Sequence, residues 1–217
     1  MKPARANTRL LIPPAIAITL FLWLFIKPGL GPLDFWWSMA LILVLVVGMS
    51  LGFDRDLFHR IQGMGSGWRP WRVIAAGLFS AVILYGVFSL GGILLRLLFP
   101  AAGAGIRGVY TYRGEASPLR IALLMLLVIG PGEEFFWRGM VQHHLVRRLG
   151  PLTGIGIAAL VYTLIHLTAG NPVLLLAAMV CGLFWGLLYH FTQSLPLVVI
   201  SHTAWDILVF LAIPLGG

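Results

Sequence analysis

Charge is what this chain of 217 residues has least of. Asp, Glu, Lys and Arg together make up 10% of it, where a soluble domain carries about 25%. Acidic residues are scarcest, seven against fifteen Lys and Arg, and there is one cysteine. With 59% hydrophobic residues and a mean hydropathy of +0.96, no globular packing hides the apolar surface behind so few charges. That excludes a soluble enzyme or a soluble binding module. The lone Cys181 sits inside an apolar run, which excludes a disulfide framework and a cysteine zinc knuckle. An internal repeat, a low-complexity tail and a separate soluble domain are also lacking. The net charge of +8 comes mostly from cations lying between apolar blocks. There they read as topology signals and lipid-headgroup contacts, not as a nucleic-acid patch.

What is present is a series of long apolar runs. A spanning helix needs roughly 20 apolar residues, and the runs at 10–26, 35–53, 73–95, 119–141, 153–169, 173–191 and 197–215 qualify. The sequence therefore predicts an all-α, polytopic integral membrane bundle of about seven transmembrane helices. Residues 1–217 form one membrane domain, with N-terminal spans in 1–118 and a motif-bearing core in 119–217. The first run follows Lys2, Arg5 and Arg9, but no small-residue cleavage site follows Ile26. It reads as a retained span, kinked by Pro13 and Pro14.

Loop cations set the expected orientation. The basic N-terminal tail, the 54–72 loop (Arg55, Arg60, Arg69, Arg72) and the 142–152 loop (Arg147, Arg148) fall on one side, which is then cytoplasmic. The 96–118 loop disagrees, with Arg96, Arg107 and Arg113 against Glu115 on the outer side. Being Gly-rich and the longest connection, it is expected to be flexible or to dip back into the membrane. Trp36, Trp37, Trp68 and Trp71 near span ends read as an aromatic belt.

Asp34, Asp54, Asp56 and Glu115 lie in or beside loops, where water solvates them. Glu133, Glu134 and Asp206 instead lie inside apolar runs, together with Arg138, His166 and His202. A charge near the bilayer centre costs at least about 2.5–3.5 kcal/mol, so these side chains must face one another or water. One Glu–Arg pair would suffice for packing, and this set is larger. Glu134 and Arg138 are four apart and share a helix face. Glu133 is offset by about 100° and points elsewhere, toward a site. The Pro131-Gly132 pair loosens that helix and admits water. Tyr162 and His166 are also four apart, as are His202 and Asp206, so Asp206 can orient His202 across one turn. His59, His143, His144 and His190 read as interfacial or packing residues.

In this order on separate hydrophobic spans, Glu133-Glu134-x-x-x-Arg138, Tyr162-x-x-x-His166 and His202-x-x-x-Asp206 resemble the CAAX-protease and bacteriocin-processing family of intramembrane endopeptidases. The three motifs occupy residues 133–206. The resemblance implies that Glu133 is the catalytic carboxylate and His166 the second group holding the attacking water. His202 and Asp206 face the oxyanion, and Glu134, Arg138 and Tyr162 support the motif. Two positions depart from the commonest pattern. The first aromatic of the middle motif is usually Phe and here is Tyr162. The last position, Asn or Asp in the family, is Asp206, and an ionised Asp cannot donate to an oxyanion as an Asn amide does. Asp206 must be protonated, orient His202 or ligate a metal.

The implied reaction is hydrolysis by an activated water, because Ser194, Ser201 and Cys181 lack a matched base and orienter. A metal-free reaction without a cofactor is favoured; the alternative is zinc held by Glu133, His166 and His202, with or without Asp206 as a fourth ligand. Expected partners are membrane lipids and a protein or peptide substrate at the membrane, not nucleic acid. A CAAX-like lipidated protein, a bacteriocin leader and a sorting signal all fit. The expected location is a prokaryotic plasma (inner) membrane, N-terminus cytoplasmic. The competing reading is a non-hydrolytic membrane protein, either a proton-coupled transporter or a peptide-binding immunity factor. An inactive scaffold is disfavoured by the intact motifs.

Overall fold

Proline at the head of nearly every long helix organises the chain, because its missing N–H costs nothing in a first turn. The computed structural model describes residues 8–62, 67–114 and 116–215. Helix α1 (Ile12–Ile26) opens on Pro13 and Pro14 behind a 3-10 turn at Thr8–Leu11. These prolines start the helix rather than kink it. Helix α2 (Phe35–Phe53) is capped by the Asp34 carboxylate on the Trp37 N–H, and short α3 (Leu57–Ile61) follows. Helix α4 (Pro70–Leu98) is the longest uniformly α helix among the described residues, and α5 (Ala102–Val109) leads into a 3-10 turn at Tyr110–Arg113. After the helix over 118–149 come α9 (Pro151–Leu164), α10 (Pro172–Thr192) and α11 (Leu195–Ile207), the last extended by a π turn at Leu208–Ala212.

Among the described residues six helices are long and apolar enough to cross a membrane, and the helix over 118–149 makes about seven. That helix is continuous but not uniformly α. It runs through α6 (Pro118–Leu124), a π segment (Met125–Ile129), α7 (Gly130–Glu134), a second π segment (Phe135–Gln142) and α8 (His143–Leu149). At the first π segment the Gly130 N–H reaches back five residues to the Met125 carbonyl, immediately before Pro131, which has no N–H to offer. Glu133 and Glu134 thus stand on a single α turn between two π segments.

The bundle is apolar outside and polar in the middle. Leu90, Leu97, Phe79 and Leu152 are among the large side chains left bare, the surface a hydrocarbon solvent accepts. Glu133, Glu134, Arg138, Gln142 and His202 are buried beside Trp137 and Trp185. Trp37, Trp68 and Trp71 are exposed as a belt requires, whereas Trp36 is buried in the core against Phe35 and Phe210.

Two expectations about loops are corrected. Residues 96–114 are not a loose segment but a docked one. Gly105 accepts from Asn171, Tyr110 donates to the Val209 carbonyl, and Arg113 donates to the Phe210 carbonyl. Glycines there serve close approach: a Cβ at Gly105 would lie 2.6 Å from Val173. Glu115, and Lys2 and Arg5 of the tail, lie outside the described residues. Asp54, expected to be solvated, is buried and bonded by Arg60 and by His144 Nε2 at 2.8 Å, while Arg60 Nε also donates to the Gly139 carbonyl. Burial alone would raise the Asp54 carboxyl, but the His144 hydrogen bond and the Arg60 charge outweigh it and hold it below the usual carboxylate range. His144 is therefore a hydrogen-bond partner of Asp54 rather than a packing residue.

Candidate active site

Arg138 locks the site together, and it is almost fully buried. Its Nη1 donates to Glu134 Oε1 at 2.9 Å, as the four-residue spacing implies. Nη2 reaches across to the carbonyls of Cys181 and Gly182 in α10, at 3.3 Å each. Its guanidinium also lies over the rings of Tyr162 and Trp185, 5.2 and 5.5 Å from their centroids. One turn on, Gln142 donates to the Gly186 carbonyl at 2.8 Å. The helices can come this close because Gly182 and Gly186 are four apart on one face of α10. A Cβ at Gly182 would meet the Ala159 backbone at 3.1 Å, and one at Gly186 would meet Gln142 Oε1 at 2.9 Å. That small-xxx-small spacing in an apolar helix is the sequence signal for this contact, overlooked when the charged residues were weighed alone.

His202 of α11 joins both carboxylates. Its Nδ1 lies 2.6 Å from Glu134 Oε1, and its Nε2 faces Glu133 Oε2 at 3.7 Å and Asp206 Oδ2 at 3.4 Å. The two glutamates therefore do not point to different surroundings; they meet the two edges of one imidazole. Trp185 stacks on the other face of that ring, centroids 3.6 Å apart and 22° from parallel, and its Nε1 donates to Ser201. No spacing rule pointed to Trp185. Gly130 lets α11 approach, since a Cβ there would fall 2.3 Å from Thr203 Oγ1. Ser201 and Ser194 have structural roles, as the Trp185 acceptor and as the cap of α11 on the Leu197 N–H.

Tyr162 of α9 supplies the remaining contact to Glu133: its hydroxyl donates to Oε2 at 3.0 Å. His166 follows at the end of α9, its Nδ1 2.8 Å from the Tyr162 carbonyl and its ring 5.2 Å from that of Tyr162 and 4.8 Å from that of Phe25. A carbonyl only accepts, so Nδ1 carries the hydrogen and Nε2 the lone pair. Glu133, Glu134, Arg138, Tyr162, His202 and Asp206 thus form one connected polar network, and His166 joins it through Tyr162 rather than by a side-chain bond.

Depths agree as well. From the turn at Gly150, Glu133 lies sixteen residues back from Leu149 and His166 fifteen residues on from Pro151, about 24 and 22 Å along their helices. A span ending at 141 puts His166 several ångströms deeper than Glu133; the added length of α8 removes the discrepancy.

The zinc alternative would draw on the same atoms. Both histidines have Nδ1 engaged, by Glu134 in one case and by a backbone carbonyl in the other, which leaves each Nε2 as the atom a metal would take. Yet among the described residues no three His, Cys, Asp or Glu side chains are grouped to hold a metal ion.

Comparison with known families gives a match. Residues 115–208 match the Rce1-like family, described as type II CAAX prenyl endopeptidase Rce1-like. Over that motif-bearing segment the chain is similar to this family. Every residue of the polar network lies inside the matched segment, and α1 to α5 lie outside it. No curated protein and no solved structure matches the chain.

Proposed function

We propose that this protein is an intramembrane endopeptidase that hydrolyses a peptide bond of a membrane-associated protein, using a water activated by Glu133. The substrate carries a CAAX-like lipidated end or a leader or sorting signal, and enters from the bilayer. The basic end of the bundle, with the N-terminus, faces the cytoplasm of a prokaryotic inner membrane. The observation that carries this reading is the unequal state of two adjacent buried carboxylates. Glu134 is committed to Arg138 and His202, whereas Glu133 has one oxygen held by Tyr162 and the other left for water.

In this reading Glu133 takes a proton from water through the carboxylate oxygen that Tyr162 does not hold. His166 holds the same water through its Nε2 lone pair. The hydroxide adds to the scissile carbonyl, and the oxyanion forms against His202. His202 Nδ1 donates to Glu134, so in the imidazolium form Nε2, 3.7 Å from Glu133 and 3.4 Å from Asp206, carries the hydrogen that meets that oxygen. Asp206 acts by orienting His202, the role its position supports among the three its chemistry allowed. Glu133 then passes the proton to the leaving amine, and the peptide bond breaks. No step is assigned to a metal.

The test is cleavage of a membrane-anchored peptide by the purified chain in detergent, and the accumulation of uncut precursors in cells. Glu133→Ala should abolish cleavage and cause uncut precursors to accumulate. An undiminished rate in that variant would remove the hydrolytic reading, and substrate uptake into vesicles driven by a proton gradient would replace it with a transporter.

A further inference from the structure

The arginines of the 96–118 segment, which contradict the charge rule for topology, stand beside a cavity that the proposed chemistry does not use. At the end of the bundle away from the N-terminus, α4, α5, α10 and the chain after Val209 enclose about 360 Å³ of space. Its walls are apolar, with Gly91 and Gly92 opening one side and Tyr110 the single polar side chain among the residues around it. Along α4 the lining runs from Val87 to Leu98, eleven residues or about 16 Å. That is half of a hydrocarbon core about 30 Å thick, the depth of one leaflet.

The rim at the outer end is cationic. Arg96 Nη1 donates to the Leu215 carbonyl at 3.2 Å and lies 4.0 Å from where a Cβ on Gly92 would stand, and both residues line the cavity. Arg107 Nη1 lies 3.6 Å from the Cβ position of Gly103, and the Arg96 side chain 4.0 Å from the same point, so the two exposed arginines converge over Gly103. Arg113 lies over the rings of Tyr110 and Phe210, two further wall residues, at 5.0 and 5.6 Å. Among the described residues no carboxylate forms an ion pair with any of the three.

We infer that this cavity is a binding site for one anionic phospholipid, its phosphate held by Arg96 and Arg107 and an acyl chain seated along α4. An apolar slot one leaflet deep with paired guanidiniums at its mouth matches a phosphodiester joined to a hydrocarbon chain. Charge of this kind selects an anionic headgroup over a zwitterionic one. It also gives the 96–118 arginines a function other than setting topology. Phe88 of the wall packs on Trp205, 4.8 Å between centroids and tilted by 60°, and Trp205 packs on Trp185, so lipid occupancy bears on the helix that carries His202.

The experiment is native mass spectrometry of the full chain released from nanodiscs of phosphatidylglycerol and phosphatidylcholine in equal amounts. The expected result is one retained phosphatidylglycerol per chain. Arg96→Gln and Arg107→Gln should each weaken retention about fivefold, and the pair about thirtyfold. Gly91→Leu, whose Cβ meets nothing within 4 Å, should abolish retention by filling the slot while the chain stays monodisperse. Equal retention of the two lipids, or retention unaffected by Gly91→Leu, overturns the inference. So does displacement of the lipid by a farnesylated peptide whose own binding is indifferent to both arginines; the cavity would then hold the substrate's anchor.

Discussion

Glu134 gives a single oxygen, Oε1, to both Arg138 and His202, at 2.9 and 2.6 Å. Two helices far apart in sequence are thereby fixed through one carboxylate atom, and the neighbouring Glu133 is spared that duty.

The adjacent glutamates should therefore fail differently. Glu134→Ala leaves the buried Arg138 guanidinium without its carboxylate, a loss of roughly 3–5 kcal/mol. Folded yield in detergent should fall sharply. Glu133→Gln keeps the shape and the Tyr162 contact, so yield should stay near that of the parent while peptide cleavage disappears. Reversed phenotypes would show that the roles of the pair have been exchanged.

Tyr162→Phe restores the commoner aromatic of the motif and removes only the hydroxyl on Glu133. A hydrogen bond to a charged acceptor is worth about 1.5–3 kcal/mol. The cleavage rate should fall by at least about tenfold if that bond orients Glu133 in the transition state. Yield and thermal midpoint should change little, and a rate equal to the parent's would remove the orienting role.

The metal question divides cleanly. Peptide cleavage should survive chelators, and excess zinc should inhibit by occupying Glu133, His166 and His202. Asp206→Asn should preserve or raise the rate, since an amide beside His202 can donate to the oxyanion. Chelator sensitivity reversed by stoichiometric zinc, with a slower Asp206→Asn enzyme, would establish the zinc mechanism instead.

Acid should loosen the basic end of the bundle in two steps. His143, past the end of its span, is pushed down from 6.5 to about 4 by burial and by the nearby cations Arg60, His144 and Arg147. The unfolded chain binds that proton first, so stability falls as pH drops from about 6.5 to about 4. Asp54 is also lowered, so its contribution, present above its ordinary value of 3.8, is lost as pH falls further. Thermal midpoints in detergent from pH 8 to 3 should decline accordingly. His143→Gln should flatten the upper step and Asp54→Asn the lower; a midpoint constant across this range would contradict both assignments.

Gly130→Ala probes the approach of α11 to the motif helix. The added methyl meets Thr203 Oγ1 at 2.3 Å and the Met125 carbonyl at 3.0 Å, so one helix must move. Cleavage should fall by more than the thermal midpoint suggests, because His202 leaves the glutamates before the bundle melts. Thr203→Ala should partly restore it.

The sequence by itself determined the solvent of this protein, the number of its helices and the identity of its polar motifs. Those follow from run lengths and from the cost of an ionisable group in hydrocarbon, which are local properties. The pairing of Glu134 with Arg138 is local too, one helical turn apart. What only the tertiary structure decided is how separate helices meet. Spacing gave no account of Trp185 on His202, of both glutamates on one imidazole, or of Arg138 reaching the α10 carbonyls. The 120° or so of helix face that a residue occupies is fixed only when glycines such as Gly130 and Gly182 let neighbours close in. The depth of His166 depended likewise on π segments and on α8, because hydropathy ends a span where charge begins while the backbone continues as helix through His143–Leu149. Asp54 was misjudged for the same reason: position beside a loop says nothing of the Arg60 and His144 that fold over it.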